Sequence, residues 1–367
     1  MGKGKRRLDF ILLITTLALV GIGIVMVYST SAIMAGDRFG DPYYFLKRQV
    51  LYAAIGFVLM ILTMLFPYET LKRLAYPILI LSILLLIAVL IPGIGHRAGG
   101  AMRWLKIQSF SFQPSEFAKL GLIIFLAYLL AKKEEKIRSF SFGFLPPVLL
   151  SGLVIALVMK EPDFGAAFFL TVMVFLLLFV SGARVIYMVG AFLIAIPVAY
   201  TLLMNVGYRY KRLMSFIRPW EDPTGNSFQI IQSFLSFGSG GLFGLGLGEG
   251  RQKLFFLPAP HTDFIFSIIG EELGLVGAML ILLLFFILAL RGIQIGLSLE
   301  ERFGAYLALG ITLMISLQAV IHIGVVLGLL PTKGLTLPLV SYGGTSLVIN
   351  LVGVGMLLHL STHVERR

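Results

Sequence analysis

Three carboxylates lie at the start of, or inside, one apolar stretch of the sequence, PAPHTDFIFSIIGEELG. If this stretch forms a helix, Asp263 lies near its outer end, and Glu271 lies about 12 Å deeper. A carboxylate at the edge of a membrane can act as a general base towards a hydroxyl group. The alternative for Asp263 is a helix N-cap, a position that also favours Asp, and the two roles are compatible.

Glu116 and Lys119 form a second set of charges, in the stretch QPSEFAKLGLIIFLAYLL. Residues three apart share one face of a helix, so these side chains can pair. Charged groups within a span usually face a cavity and mark a functional site, and the alternative is a self-neutralising pair that only fixes helix packing. Glu271 is predicted to approach Lys119 if their helices are neighbours. Glu272 points to the opposite side and has no predicted role.

The elements that carry these residues are predicted to be membrane helices. The chain has 367 residues, of which 58% are hydrophobic and 13% charged, and its mean hydropathy is +0.96. Apolar runs of about 20 residues recur along its length, and such a run spans a bilayer. The sequence therefore predicts an all-α integral membrane protein with a single membrane domain over residues 1–367. Ten helices are predicted, at 8–28, 48–66, 74–92, 114–131, 143–159, 164–180, 185–204, 263–290, 304–330 and 340–361.

The charged segments indicate an orientation. KGKRR near the N-terminus and KKEEKIR (132–138) suggest the cytoplasmic side, so ten spans place both termini inside and the long loop 205–262, between helices seven and eight, outside. Lys and Arg are almost equally distributed between the two sides, and an anionic ligand at the outer surface would explain the outer cations. The net charge of +12 otherwise suits anionic lipid head groups better than nucleic acid.

Several other features narrow the function. The basic and apolar N-terminal segment resembles a signal peptide, but its apolar stretch is too long, so a retained first helix is expected. The chain has no cysteine and therefore no disulfide or thiol chemistry. The glycine-rich segment 236–264 has neither dinucleotide nor P-loop spacing, and a compact loop on the membrane surface is predicted instead. Gln318 and His322 are predicted to be a satisfied interior pair, and no cluster has metal-ligand spacing.

Five motifs make the chain similar to a known family. In order along the chain, the motifs are GGAMRW (99–104), QPSEFAKL (113–120), EPDFGAA (161–167), GSGGLFGLGLGEGRQKLFFLPAPHTDFIFSIIGEELG (238–274) and PTKGLTLPLVSYGGTSL (331–347). Together they resemble the SEDS family, the RodA/FtsW/SpoVE group of bacterial cell-wall proteins, over nearly the whole length. The resemblance implies ten helices with both termini in the cytoplasm, which agrees with the apolar runs.

The resemblance implies a peptidoglycan glycosyltransferase in the bacterial cytoplasmic membrane. Lipid II would be polymerised into β-1,4 glycan at the outer face, with release of undecaprenyl diphosphate, for cell elongation or division. The family's essential acidic residue corresponds to Asp263, the candidate base. Its Glu and Lys of helix four correspond to Glu116 and Lys119, which would shape and charge the cavity. Candidate substrate contacts, including cations for the diphosphate, are Arg103, Trp104, Arg212, Arg218, Lys253, His261 and Ser341.

The resemblance also implies a partner, a class B penicillin-binding protein, which would supply transpeptidase activity. Lipid II and membrane lipids are the other molecules that the protein is expected to bind. A divalent cation could help to neutralise the diphosphate, although no metal-ligand cluster is evident. Two other functions stay open: a lipid II flippase, and an unrelated ion-coupled transporter in which the buried charges relay protons. PTKGLTLPL favours a division-type protein, whereas the short tails and QPSEFAKL slightly favour the elongation type.

Overall fold

The computed structural model describes residues 8–98, 101–107, 110–204, 213–223, 225, 227–253, 257–258, 260–332 and 334–364. Most of these residues form helices that pack along one another. The helices are α1 Phe10–Phe39, α2 Tyr44–Leu65, α3 Tyr68–Arg73, α4 Ala75–Leu90, α5 Pro114–Lys132, α6 Leu145–Lys160, α7 Phe164–Val180, α8 Val185–Met204, α9 Phe228–Gly240, α10 Ile265–Ser298, α11 Arg302–Val326 and α12 Gly344–Ser361.

Among the described residues, seven helices are long and apolar enough to cross a bilayer, and three shorter ones, including α4 and α7, are strongly apolar. This confirms the prediction of an all-α membrane protein with about ten spans. The first helix packs against α2 and α10 as part of the bundle, as expected for a retained helix. It runs eleven residues further than predicted, to Phe39, and Gly40 ends it with a left-handed φ of 70°.

A small antiparallel sheet, absent from the predictions, lies between α4 and α5. Its strands are β1 Gly95–Ala98, β2 Ala101–Ile107 and β3 Phe110–Phe112, in the order β1-β2-β3. The register of β1 and β2 pairs His96 with Trp104 and the next residue of β1 with Met102, so Arg103 is skipped. A bulge of this kind turns a side chain away from its normal face. The sheet lies at the end of the bundle where α5 begins.

The segment before the last helix is not helical, and α12 begins at Gly344 rather than at residue 340. Hydrogen bonds hold this segment to the interior. The Gln318 side chain of α11 donates to Thr336 O at 2.9 Å, and His322 Nδ1 lies 2.7 Å from Leu335 O. The main chain of this segment therefore bonds to both Gln318 and His322, whereas the second ring nitrogen of His322, Nε2, is buried without a hydrogen-bond partner, so the predicted pair is only partly satisfied.

Helix α10 is broken near one third of its length. Gly274 has φ 68° and ψ −165°, which no helix contains. The peptide groups that the break leaves unpaired bond to the loop after α9: the N–H groups of Leu245 and Gly246 donate to the carbonyls of Glu271 and Glu272, each at 3.0 Å. Leu275 N and Val276 N donate in turn to Gly241 O and Leu242 O, at 3.0 and 3.1 Å. A break within a span is tolerated when protein satisfies the backbone in this way.

The glycine-rich loop thus reaches deep along α10. Gly274 lies about 14 Å from the start of α10 at 1.5 Å per residue. Helix α9 packs beside the part of α10 that precedes the break, with Ser233 Oγ 2.7 Å from Ser267 Oγ and the Phe237 ring against Phe266. This part of the loop is bonded to the middle of α10, and its position at the membrane surface stays a prediction. Ser267 and Gly270 lie on the face of α10 that contacts α9.

Gly274→Ala is expected to destabilise the protein. The backbone conformation at Gly274 is one that only glycine adopts readily, and a non-glycine residue there costs about 1–3 kcal/mol. A Cβ would also clash with Gly244 N, so the backbone must move. Thermal unfolding in detergent measures the effect. Gly152→Ala in α6 is the matched control, because a Cβ there meets nothing within 4 Å. An unchanged melting temperature for Gly274→Ala would contradict the break.

Candidate functional site

A cavity of about 490 Å³ opens at the end of the bundle opposite the two ends of the described chain. Its walls come from the first turns of α2, α5, α7 and α12, from the small sheet, and from the segments before α10 and α12. Most of the lining residues carry a polar or charged side chain. The lining residues are Arg48, Tyr52, His96, Arg103, Trp104, Ser111, Gln113, Glu116, Asp163, Ala166, Thr262, Asp263, Gly334, Leu335, Thr336, Tyr342, Gly343, Gly344 and Ser346.

Asp263 is half-buried in the wall of this cavity, just before α10. The helix begins at Ile265, with Phe264 at the N-cap position, so Asp263 does not occupy that position. Gly334 lies beside the carboxylate, and a Cβ on this glycine would be 3.4 Å from Asp263 Oδ2. The carboxylate therefore lines the cavity beside a residue that has no side chain.

Arg103 and Trp104 both line the cavity, although adjacent strand residues normally face opposite sides. The bulge at Arg103 explains this. The guanidinium is held by the turn between α6 and α7: it donates to Pro162 O and to Glu161 O, and its Nε lies 3.7 Å from Asp163 Oδ2. Asp163 is itself fixed, because its carboxylate caps α7 by accepting from Ala166 N at 3.0 Å.

Glu161 is mostly protonated at neutral pH. Its side chain is fully buried, and burial, with a smaller effect of Asp163, raises its pKa to about 8. The carboxylate of Asp163 is therefore the main negative charge that faces the Arg103 guanidinium. One cation thus points to the cavity with only a distant ion pair to neutralise it.

Glu116 and Lys119 form the predicted ion pair. Lys119 Nζ lies 2.7 Å from Glu116 Oε1, and the side chains are 1% and 9% exposed, respectively. Glu116 lines the cavity while Lys119 lies behind it, where its Nζ donates to Gln318 Oε1 at 2.9 Å and packs over the Phe169 ring at 5.1 Å. Because Gln318 also bonds to Thr336 in the cavity wall, the pair is linked to the segment beside Asp263.

Other predicted contacts lie elsewhere. The structure places Arg218 in an exposed ion pair with Glu221 at 3.1 Å, outside the cavity lining. Ser341 is buried, where its Oγ donates to Thr262 O at 2.7 Å. His261 is also buried, with its ring 4.5 Å from that of Phe45, and burial lowers its pKa to about 4, so it is neutral at pH 7. Neither lines the cavity. Arg212 lies outside the described residues.

Two predictions about buried charges are wrong. Glu271 does not pair with Lys119; its carboxylate accepts from main-chain N–H groups at residues 251 and 252, and Lys119 has Glu116 and Gln318 as partners. Lys253 is not a cavity cation either. It is buried in an ion pair with Glu272 at 2.6 Å, which also gives that glutamate the role the sequence did not predict.

Sequence reasoning missed several lining residues. Arg48 and Tyr52 lie one turn apart at the start of α2, and the Arg48 guanidinium stacks 4.5 Å from the Tyr44 ring. Both residues lie in a predicted helix and are four positions apart, and this spacing indicates that their side chains share one face of the helix. Asp163 belongs to the motif EPDFGAA (161–167), but the sequence predicted no role for it. Within the described part of the chain, no three His, Cys, Asp or Glu side chains cluster in a way that could hold a metal ion.

Comparison with known proteins gives consistent matches. The family described as cell cycle protein, FtsW/RodA/SpoVE, matches residues 10–366. A probable peptidoglycan glycosyltransferase FtsW of Geobacter metallireducens is 48% identical, over 99% of this chain and 97% of that protein. A chain from a peptidoglycan synthase complex that coordinates polymerization and crosslinking is 33% identical, with a TM-score of 0.80 over 96% of this chain and 97% of that one. The rod shape determining protein RodA of Thermus thermophilus is 31% identical, with a TM-score of 0.72 over 98% of each chain.

Proposed function

Because the chain belongs to the FtsW/RodA/SpoVE family of cell cycle proteins, we propose that it is a peptidoglycan glycosyltransferase that polymerises lipid II. The glycan grows at the outer face of the bacterial cytoplasmic membrane. The family membership and the apolar helices make this a multi-pass membrane protein. The cavity at one end of the bundle is the site of the reaction.

The reaction forms a bond between a sugar 4-hydroxyl and the anomeric carbon of a second lipid-linked sugar. The bond from that carbon to the diphosphate breaks, and undecaprenyl diphosphate leaves with the electron pair. Asp263 takes the proton of the attacking hydroxyl as general base. The leaving diphosphate gains negative charge, which fixed cations stabilise.

One observation carries this proposal: Asp263 shares a single cavity with two arginines and the Glu116 end of a buried ion pair. Arginine presents several donors in a rigid fork that matches phosphate oxygens. Arg103 is held from behind by the turn at Asp163, so its guanidinium is oriented before substrate arrives. Arg48 is the second candidate, since its side chain also lines the cavity. Trp104 adds an apolar wall beside them.

A class B penicillin-binding protein is the proposed partner. The similarity to a chain from a peptidoglycan synthase complex supports such an assembly. In that arrangement this chain polymerises glycan and the partner crosslinks it.

Polymerisation in detergent tests the function. The purified protein and its partner are given lipid II, and glycan strands are separated by length. We expect strands to form, because detergent removes any need for transport across a membrane. If no glycan forms in detergent, and the protein in reconstituted vesicles transfers lipid II between the leaflets, the flippase is favoured. A proton flux without lipid II would favour the ion-coupled transporter.

The 48% identity to a probable FtsW protein supports the division-type branch. This does not support the slight preference for the elongation type. A fluorescent fusion in the native host separates the branches. We expect it at the septum, and distribution along the side wall would indicate elongation.

A further inference from the structure

A buried ion pair joins the loop before α10 to α10 itself. Lys253 Nζ lies 2.6 Å from Glu272 Oε1, and the two side chains are 3% and 0% exposed. Ser29 of α1 donates a hydrogen bond of 2.6 Å to the other oxygen of this carboxylate, Glu272 Oε2. Both oxygens therefore have partners, and one group ties together α1, α10 and the loop.

The carboxylate of Glu271 holds the same loop by accepting hydrogen bonds from the main chain of the loop. Its Oε1 accepts from the N–H groups of Arg251 at 2.7 Å and Gln252 at 3.2 Å. The preceding residue, Gly250, fits tightly between the two carboxylates: a Cβ there would lie 3.0 Å from Glu272 Oε1 and 3.1 Å from Glu271 Oε2. The loop main chain is thus shaped around both glutamates.

The other end of this loop is fixed beside the cavity. Ser341 Oγ donates to Thr262 O at 2.7 Å, and the Tyr342 N–H donates to His261 O at 2.9 Å. Asp263 is the next residue. Asp263 therefore lies between two sets of contacts that fix the chain. The first set involves the segment before α12, and the second involves the glutamates of α10 about two helical turns further along.

Four residues make up the second set of contacts, which we call the loop clamp: Ser29, Lys253, Glu271 and Glu272. We propose that the loop clamp positions Asp263 for the transfer reaction, an inference that rests on the proposed function. The break at Gly274 is the reason that such a restraint is needed. The outer half of α10 is not continuous with the inner half, so its orientation depends on contacts to the loop and to α1.

Charge, rather than apolar packing, at this place supports a positioning role. Burial of an ion pair costs solvation free energy, and apolar residues of similar size are often equally stabilising. An ion pair with hydrogen bonds at both oxygens fixes direction and distance, which apolar contacts do not. A shift of about 1 Å at a catalytic group can lower a rate by about 10²-fold.

The double variant Lys253→Met/Glu272→Met tests the clamp without leaving a single buried charge. We expect a melting temperature close to that of the wild type, a kcat for lipid II polymerisation lowered by about 10-fold or more, and a KM within about 2-fold, because positioning affects the transition state more than binding. The matched control is Lys47→Met/Asp41→Asn, which removes an exposed pair of 2.8 Å and should leave both constants unchanged. Lys253→Arg retains the charge pair and should retain most of the kcat.

Each outcome bears on the proposal. A folded double variant with wild-type kcat overturns it, as does a change in KM alone, which would indicate a substrate contact. If the double variant does not fold, Ser29→Ala decides instead: it removes the hydrogen bonds that Ser29 makes with Glu272 and Lys253 and leaves the ion pair. We expect its kcat to fall measurably at constant KM, and a wild-type kcat would overturn the clamp. A wild-type protein that makes no glycan refutes the proposed function and the clamp together, whereas active clamp variants refute only the clamp.

Discussion

Asp263→Asn is expected to lower the rate of glycan formation from lipid II by about 10²–10⁴-fold, the range that a positioned general base contributes. Asparagine has nearly the same shape but cannot accept the proton of the attacking hydroxyl. Since Asp263 is half-buried in the cavity wall, the variant should fold normally and still bind lipid II. The measurement is single-turnover polymerisation with saturating lipid II and the partner present.

The control for this variant is Asp41→Asn. Asp41 is a carboxylate outside the cavity lining, and its partner is the exposed Lys47. It should polymerise at the wild-type rate. If Asp263→Asn also keeps that rate, another group is the base, and the assignment of Asp263 is wrong. A loss of lipid II binding rather than of rate would instead make Asp263 a binding residue.

Lys119→Met is expected to lower the free energy of unfolding by about 3–5 kcal/mol, because it leaves the buried Glu116 carboxylate without its cation. The side chains of the pair are 1% and 9% exposed, so water does not replace the lost partner. The double variant Glu116→Gln/Lys119→Met should recover much of this stability. Thermal or chemical unfolding in detergent measures both.

Glu221→Gln provides a matched comparison for the Lys119 experiment. It removes one partner of a pair with the same spacing of three, Arg218 and Glu221, whose side chains are 65% and 66% exposed. Exposed pairs contribute little, so its melting temperature should not change. Equal stability of Lys119→Met and the wild type would mean that the cavity admits enough water to solvate Glu116 in solution.

The sequence predicted the membrane helices well because apolar runs and their breaks are local features. Helix α5 begins at Pro114 as predicted, since proline is suited to a first helical turn. The same local signal could not predict α9. Its 13 residues mix apolar and serine positions within a long loop, and it is stabilised by packing against α10 rather than by length.

For the site, residue type was predictable and pairing was not. Glu116 and Lys119 pair within one helix turn, so spacing was sufficient. Glu272, by contrast, pairs with residues 19 and 243 positions away, and sequence spacing contains no information about such contacts. Arg103 was identified by its charge, whereas the bulge that turns it to the cavity depends on the register of β1 and β2.

The break at Gly274 also constrains how the protein is made. Four peptide groups around it, at Glu271, Glu272, Leu275 and Val276, bond to the glycine-rich loop that is synthesised just before α10. In lipid, each such group without a partner costs several kcal/mol. A straight α10 is therefore the stable form when that helix enters the bilayer alone. The broken form of α10 is therefore stable only when α9 and its loop lie beside it and pair with these four groups, which couples the folding of α10 to the docking of the preceding loop.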